Sequence, residues 1–261
     1  MAADVRVLED IKETGIQSCI NRIKFQRDIY NPDLSEVSKG YFYLMPMQQN
    51  ALLGVKQEES FLQELLLHLE KATRAASATD KQSGSAVLKE LFFATAYFSP
   101  ALSVYDAIFR VSSEKYTFLT SGKEANSFYG APWPKGIVPF YYERLYHFMM
   151  KRAMKAQSTS EKLAFLRYLR PGWTFHAKEF SVQTDTEMLT TIGSSNFGGR
   201  SHTRDNELTC AVWTDSPHMM QAVHDSRQRM VTHAQQITEQ EAKKAKGRKM
   251  LDWVLDLLKI F

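Results

Sequence analysis

The sequence is poor in two features, cysteines and long apolar runs. It contains two cysteines, Cys19 and Cys210, whose separation fits neither a metal site nor a redox motif. We therefore expect two reduced thiols in a reducing compartment. No run approaches the ~18 consecutive apolar residues that cross a bilayer. The acidic first residues, MAADVRVLEDIKETG, lack the apolar segment of a secretory signal, and we expect no organelle targeting peptide in them either.

A strong excess of either charge is also lacking. The formal net charge is +4 over 261 residues, which suits an anionic partner but does not identify one. A chain of this length has room for one large domain or two small ones with a substantial core. The bulk properties describe an ordinary globular protein, so function has to be inferred from local motifs.

Local patterns predict an α/β arrangement. Apolar residues recur at helical spacing in Glu59–Ala76, and the run Leu91–Phe98 has the composition of a buried strand. A helix, a strand at Tyr116–Ser121 and a loop rich in glycine and proline at 122–136 follow, an order that favours a sheet with covering helices. The other predicted elements are helices at Ile16–Tyr30, Ala101–Val111, Pro139–Ala156, Ser158–Arg170, Pro217–Glu239 and Arg248–Phe261, a strand at Tyr41–Met47 and a loop at Thr79–Ala86.

The stretch FHAKEFSVQTDTEMLTTIGSSNFGGRS contains the most informative pattern in the chain. Side chains two residues apart in a strand share a face, so His176 and Lys178 are expected to point the same way. QTDTE is typical of a hairpin connection, and MLTTIGSSN then returns as a second strand. Ser194 and Asn196 lie at its end and are also two residues apart. We expect these four side chains to converge.

Such a set of groups suits a phosphodiester substrate. An imidazole can attack phosphorus or transfer a proton to a leaving oxygen. An ammonium balances the non-bridging oxygens, and hydroxyl and amide donors bind oxygens whose charge grows in the transition state. The chemistry requires no metal or other cofactor. The acids of the following segment, Arg204-Asp205-Asn206-Glu207, could hold the second ring nitrogen of His176.

These motifs carry a family resemblance. H-x-K followed by G-S-x-N resembles the signature of the phospholipase D superfamily. GWTFHAK and TTIGSSNFGGRSHTRDNE resemble the second catalytic half of phosphatidylglycerophosphate synthases of the eukaryotic, phospholipase D type, and FATAYFSP and SFYGAPWPKGIVPFYYERL resemble the part upstream. The resemblance covers residues 40–261 and implies a phospholipase D-like mixed sheet flanked by helices. It divides the chain into a weakly patterned segment at 1–40, one catalytic half at 41–240 and a basic, amphipathic segment at 241–261.

Two departures from the family pattern stand out. The superfamily motif continues as H-x-K-x4-D, but Gln183 occupies the aspartate position and the nearest acid is Asp185. The family also uses two such motifs that face each other, whereas this chain contains one. The resemblance therefore implies half of a site, completed by a missing N-terminal half or by a second motif-bearing chain.

The resemblance also implies a reaction and roles for residues. The phosphatidyl group of CDP-diacylglycerol would pass to glycerol 3-phosphate with release of CMP, through a phosphohistidine formed on the histidine of the first half. His176 would then be the general acid and later the base, while Lys178, Ser194 and Asn196 bind phosphoryl oxygens and Glu207 orients His176. The family works peripherally on the mitochondrial inner membrane, and we expect no nucleic-acid partner.

Other candidate residues surround the motif. Tyr97 and Ser99 follow the strand before it, where open α/β sheets place ligands. Arg200 and Arg204 either reach a lipid phosphate or pair with Asp205 and Glu207. The loop SFYGAPWPKG suits an entrance for a headgroup or acyl chain, or a purely structural role. For His202 an uninvolved position on the surface is favoured.

The C-terminal segment combines five basic residues with an apolar stripe formed by Leu251, Val254, Leu255 and Leu258. Such a segment can lie on an anionic membrane surface. We favour a helix docked on the core because the stripe is short. Two alternatives to the synthase also stay open: a phospholipase D-type phosphodiesterase completed by homodimerisation, and a catalytically silent half that binds lipid.

Overall fold

A computed structural model describes residues 40–79, 88–156 and 160–244. The predicted helices at Ile16–Tyr30 and Arg248–Phe261 lie outside the described residues, as does most of the predicted loop at 79–86. The domain boundaries predicted near residues 40 and 240 likewise fall at or beyond the edges of the described part, so the domain division stays a prediction.

The described residues form an α/β fold, as predicted. The strands are β1 Phe42–Asn50, β2 Val55–Lys56, β3 Leu88–Thr95, β4 Ser113–Ser121, β5 Leu163–Tyr168, β6 Lys178–Gln183, β7 Met188–Gly193, β8 Asn206–Thr214 and β9 Ala234–Gln236. The helices are α1 Gln57–Thr79, α2 Leu102–Ile108, α3 Val138–Ala156, α4 Gly199–Thr203, α5 Pro217–Val231 and α6 Glu239–Lys244. Short 3-10 turns include Ala51–Leu53, Lys123–Ala125, Lys135–Ile137 and Ser160–Lys162.

The strands join in one mixed sheet with the order β2-β1-β8-β7-β6-β3-β4-β5-β9. The central strands β3, β4 and β5 run parallel to one another, while β6, β7, β8 and β1 pair antiparallel. Parallel neighbours require crossover connections, which α2 and α3 provide. Helices α2 and α3 cover one face of the centre and α5 packs on the other, and this explains the nearly continuous apolar run of β3, LFFA.

Two apolar clusters pack on the two faces of the sheet. The larger cluster lies under α1, α2 and α3 and contains Leu66, Phe93, Phe118 and Phe165 among many others. The smaller cluster contains Phe92, Leu119, Tyr168 and Phe175, with Met230 of α5 packed against it. Because side chains alternate along a strand, Phe92 and Phe93 enter different clusters. The sheet is thus held rigidly from both sides.

Two predicted helices are wrong in extent or type. Residues predicted as the helix Ser158–Arg170 contain the 3-10 turn at Ser160–Lys162 and the strand β5. These residues form a strand because their backbone pairs with β4 and β9, and the local spacing of apolar residues does not reveal such contacts. The helix predicted for Pro217–Glu239 ends at Val231, and the strand β9 follows it. None of the helices in the described ranges is long and apolar enough to cross a membrane.

Candidate active site

The predicted hairpin brings the motif residues to one edge of the sheet. β6 and β7 pair antiparallel with Ser181 opposite Thr190, so the start of β6 and the end of β7 lie side by side. Lys178, the first residue of β6, pairs with Thr95, the last residue of β3. The motif therefore lies where the parallel strands end, beside the loops that follow β3, β4 and β5.

His176 and Lys178 are in direct contact. The ammonium Nζ lies 3.2 Å from Nδ1 and 3.3 Å from Nε2 of the imidazole. It also donates a hydrogen bond to the carbonyl oxygen of His176 at 3.1 Å. The ring of His176 faces the edge of Tyr97, with 6.1 Å between the ring centroids. The side chains of the pair thus meet as predicted, although His176 precedes β6, which begins at Lys178.

The surroundings lower the pKa of both groups. Partial burial lowers the pKa of His176, and the positive charge of Lys178 lowers it further. Partial burial also lowers the pKa of Lys178, although the carboxylate of Glu207 opposes that shift. An imidazole with a lowered pKa is mostly neutral at neutral pH, so in the free protein His176 can act as a base or a nucleophile.

Replacing Lys178 with methionine is expected to raise the pKa of His176 towards its ordinary value. The substitution removes the adjacent positive charge, whereas the burial of the imidazole remains, so the pKa should rise only part of the way. Titration of the His176 ring signals by NMR measures this shift in the chain alone. Lys115→Met, at an exposed position on β4, is the matched control. An unchanged pKa in Lys178→Met would show that the ammonium does not act on the ring.

Ser194 and Glu207 form a pair next to Lys178. The Ser194 hydroxyl donates to Glu207 Oε2 at 2.5 Å and accepts from the amide of Leu208 at 3.1 Å. Glu207 Oε1 accepts from the hydroxyl of Ser201 at 3.1 Å. The carboxylate is buried, so these two hydroxyls satisfy most of its needs.

This pairing differs from the predicted role of Glu207. Within the described residues, Glu207 makes no hydrogen bond to His176, and Asp205 pairs with Arg200 instead. The predicted orientation of the imidazole by either acid is therefore not formed here. Gln183, at the position of the family aspartate, ends β6 roughly 16 Å along the strand from Lys178, at about 3.3 Å per residue. An acid at that position could not touch His176 either.

Asn196 is fixed by the neighbouring strand. Its side-chain oxygen accepts from Thr95 Oγ1 at 3.0 Å, and its backbone amide donates to Ser201 Oγ at 3.2 Å. Because Oδ1 is committed to Thr95, the side-chain NH2 is the group available to an anionic ligand. The turn brings Asn196 and Lys178 to the same residue, Thr95, and this confirms that the two motif segments meet.

A buried carboxylate on α1 anchors the G-S-S-N turn, and sequence reasoning missed it. Glu58 Oε1 accepts from Ser195 Oγ at 2.5 Å, and Oε2 accepts from Thr209 Oγ1. His202 Nε2 lies 3.7 Å from the same carboxylate. His202 is buried, so the favoured position on the surface is wrong. The only local signal at Glu58 is an acid in the first turn of a helix, which helix capping explains equally well.

Two glycines of the motif are required by close approach of the backbone. A Cβ atom at Gly193 would lie 2.6 Å from the Cα of Thr209 on β8, and a Cβ atom at Gly198 would lie 2.6 Å from Ser99 Oγ. Between them Phe197 has a φ of 56°, a left-handed conformation that few side chains adopt. The turn is therefore set tightly between β8 and the residues that follow β3.

The candidates Tyr97 and Ser99 take different positions. Tyr97 lies beside His176, and its hydroxyl is 2.6 Å from Ser127 Oγ. Ser99 Oγ donates to the carbonyl oxygen of Tyr97 at 3.4 Å, and the neighbouring Tyr142 is buried, which raises its pKa to about 12. Tyr142 also packs on Tyr97, with 5.1 Å between the ring centroids. Tyr97 thus lies beside the imidazole of His176, whereas Ser99 lies against Gly198 of the motif turn and lines the adjoining cleft.

Arg200 and Arg204 line a cleft that begins at the motif turn. Arg200 Nε donates to both carboxylate oxygens of Asp205 at 3.0 Å, so of the two predicted roles the ion pair is formed. The cleft has a volume of ≈ 410 Å³. Its lining includes the polar residues Ser99, Arg200, Thr203 and Arg204 and the apolar residues Pro100, Leu102, Leu145, Phe148 and Met149.

Comparison with known proteins agrees with this geometry. No protein-family profile matches the chain. The CDP-diacylglycerol–glycerol-3-phosphate 3-phosphatidyltransferase, mitochondrial, of Gallus gallus is 27% identical over 204 residues, which are 75% of this chain and 33% of the relative. The enzyme of that name from Mus musculus is 29% identical over 168 residues, 63% of this chain and 30% of the relative. The chain is a homologue of these phosphatidyltransferases.

The homology is partial in length. The chain spans about a third of the relatives it matches. Among solved structures, phosphatidylserine synthase from Haemophilus influenzae Rd KW20 superposes with a TM-score of 0.58 at 18% identity. That superposition covers 84% of this chain but 44% of the synthase. The predicted mixed sheet flanked by helices is therefore confirmed. Both comparisons leave more than half of the other protein unmatched.

Proposed function

We propose that this chain supplies one catalytic half of a phosphatidyltransferase that acts on CDP-diacylglycerol and glycerol 3-phosphate. The observation that carries the proposal is the contact between His176 and Lys178 at the sheet edge where Ser194 and Asn196 also lie. The names of the homologous enzymes supply the substrates. The same names support a mitochondrial location, which we extend to the periphery of the inner membrane.

The reaction proceeds in two displacements. A histidine of the facing half attacks the phosphorus of the phosphatidyl group, so that an N–P bond forms and the P–O bond to CMP breaks. His176 gives its proton to the departing CMP oxygen. The neutral His176 then takes the proton of the attacking glycerol 3-phosphate hydroxyl, the new P–O bond forms and the N–P bond breaks.

The surroundings of His176 suit both steps. In the free protein its pKa is lowered, which suits the step in which it removes a proton. An anionic phosphodiester bound next to the ring favours the protonated form and raises the pKa again, which suits the first step. Lys178 and the NH2 group of Asn196 bind the non-bridging oxygens. The one hydroxyl proton of Ser194 is donated to Glu207, so Ser194 binds a phosphoryl oxygen only when that hydrogen bond is exchanged for one to the substrate.

An aliphatic patch beside Ser194 supports the need for a second half. The patch consists of Leu52, Leu53, Ile192 and Leu208, all of which are exposed. Ile192 and Leu208, 64% and 65% exposed, flank Ser194 on β7 and β8. A charge-developing reaction is favoured when water is excluded. A half that carries the first motif, on this protein or on another chain, would cover the patch and supply the nucleophilic histidine.

The cleft next to the motif suits the diacylglycerol part of the substrate. Its apolar wall offers contact to an acyl chain, while Arg200 and Arg204 lie at the end that adjoins the motif turn. Such a division, with an apolar lining and a few polar groups, is typical of sites for amphiphilic ligands. Tyr97 and Tyr142 connect the cleft to His176 by ring contacts.

Phe148→Glu is expected to weaken the use of long-chain CDP-diacylglycerol. The side chain is 51% exposed, so the fold should tolerate a carboxylate, but the charge would lie in the apolar wall. We expect KM for the dioleoyl substrate to rise about tenfold, whereas KM for a water-soluble short-chain substrate changes little. Phe140→Glu is the matched control, because Phe140 is 43% exposed on the same helix but does not line the cleft. Equal effects of both variants would exclude the cleft as the acyl site.

Identification of the products tests the proposed reaction. This chain is mixed with the unmatched part of the Gallus gallus relative, and the mixture receives CDP-diacylglycerol and radiolabelled glycerol 3-phosphate. We expect the label to enter the lipid phase in an amount equal to the CMP released. Release of CMP with phosphatidate and no label in lipid would identify a phosphodiesterase. Binding of the lipid without any CMP release would identify a catalytically silent half.

A further inference from the structure

Two loops beside the candidate site expose aromatic side chains to solvent. The first, residues 122–137, follows β4 and contains Tyr129 and Trp133. The second, residues 169–177, follows β5 and contains Trp173. Trp133 is 80% exposed and Trp173 is 55% exposed, although an indole is among the costliest side chains to leave in water. We call these two segments the aromatic loops.

The aromatic loops also carry positive charge. Lys123, Lys135 and Arg170 are their basic residues apart from His176, and Glu124 is their one acid. Lys123 pairs with Glu124 at 3.6 Å. The guanidinium of Arg170 stacks on the Trp173 ring, 3.9 Å from its centroid. Each exposed tryptophan therefore has a basic residue within three positions, Lys135 for Trp133 and Arg170 for Trp173.

The bases of the loops are tied to each other and to the site. The amide of Phe175 donates to the carbonyl of Ala125 at 2.8 Å, which joins the second loop to the first. Tyr97, which contacts His176, packs on Phe128 with 6.1 Å between the ring centroids. The bases of the two loops are thus joined beside the site, and His176 follows Trp173 by only three residues.

We propose that the aromatic loops dock this protein on an anionic lipid membrane. Tryptophan and tyrosine prefer the membrane–water interface, where the ring is apolar and its polar edge stays hydrated. Basic residues beside them are attracted to anionic headgroups. The aliphatic patch lies on the other side of the motif in the sheet, along β7, β8 and β1, and lacks this pairing of indole with cation. The docked orientation brings His176 to the depth at which a lipid phosphodiester lies.

Sedimentation with vesicles tests the proposal without any need for transfer activity. The full chain is mixed with phosphatidylcholine vesicles that contain or lack phosphatidylglycerol. We expect the double variant Trp133→Ser, Trp173→Ser to bind the anionic vesicles at least about tenfold more weakly. Lys135→Ala should bind them about fivefold more weakly and show no change on the neutral vesicles. The control is Leu52→Ser, Leu53→Ser, which changes equally exposed side chains of the aliphatic patch and should leave binding unchanged.

Tryptophan fluorescence identifies the inserting residues. In a Trp253→Phe background, which removes the indole of the C-terminal segment, brominated lipids should quench the emission of Trp133 and Trp173. Trp213 is buried and should stay unquenched. Undiminished sedimentation of the double tryptophan variant would overturn the proposal. The proposal would also be overturned if only the leucine control lost vesicle binding. The same holds if the double tryptophan variant bound vesicles normally but no longer bound the first-motif half.

Discussion

His176→Ala is expected to lower the rate of CMP release by about 10²–10⁴-fold, the usual contribution of a positioned acid and base. The imidazole contacts Lys178 and Tyr97, both within the candidate site, and its side chain is exposed. Its removal should therefore leave the fold intact. The rate is measured on the chain together with a first-motif half, and far-ultraviolet circular dichroism checks the fold.

The control for this variant is His218→Ala. His218 is also exposed, but it lies at the start of α5 and makes no contact with the motif in the described structure. We expect the rate of CMP release to stay within a factor of about two of that of the unmodified chain, because a surface substitution away from the site has little effect on the fold. Retention of the full rate by His176→Ala would remove His176 from the mechanism.

Arg227→Leu is expected to destabilise the protein by about 3–5 kcal/mol, the usual effect of breaking a buried ion pair on one side. The guanidinium is buried beneath the motif strand, where it pairs with Glu179 at 2.7 Å and lies 3.6 Å from Glu90. It also stacks on Phe92, 4.7 Å from the ring centroid. Leucine would leave two carboxylates without their buried partner.

Urea unfolding followed by circular dichroism measures this effect. Arg229→Leu is the matched control, because Arg229 lies on the same helix with an exposed side chain. The free energy of unfolding of Arg229→Leu should differ from that of the unmodified chain by less than about 0.5 kcal/mol. Glu179 is adjacent to Lys178 in β6, so a loss of stability in Arg227→Leu should be accompanied by weaker activity. Equal midpoints of the two variants would show that the buried network contributes no stability.

The part of the site that the sequence could predict is the part formed by neighbours in sequence. The hairpin follows from the turn residues of QTDTE, and the contact between His176 and Lys178 is predicted from their spacing, although His176 lies just before β6. The meeting of the two motif segments follows once the hairpin is assumed. These features depend on interactions over fewer than about twenty residues, which spacing can encode.

The contacts that sequence reasoning missed join distant parts of the chain. Ser195 and Glu58 are separated by 137 positions, and Thr95 and Asn196 by 101. No local pattern distinguishes Glu58 from the other acids at the start of α1. The helix predicted at 158–170 is wrong for the same reason. The spacing of EKLAFLRYLR fits a helix, but in the fold these residues form hydrogen bonds with β4 on one side and β9 on the other.

Glu207 shows a different limit of prediction. The sequence places Glu207 shortly after the motif, but it does not reveal from which group the carboxylate will accept a hydrogen bond. In the folded chain the hydroxyls of Ser194 and Ser201 donate to it, so the carboxylate fixes these two serines and not the imidazole of His176.

The half-site is tested most directly by CMP release from CDP-diacylglycerol, measured for this chain alone and after mixing with the unmatched part of the Gallus gallus relative. We expect a rate near background for the separate chains and a rise of at least about 10²-fold on mixing, because a nucleophile and an acid then face the same phosphorus. The rise should disappear when the mixed chain carries His176→Ala. Full turnover by this chain alone as a monomer would contradict a half-site, as would a stable complex of the two parts that releases no CMP.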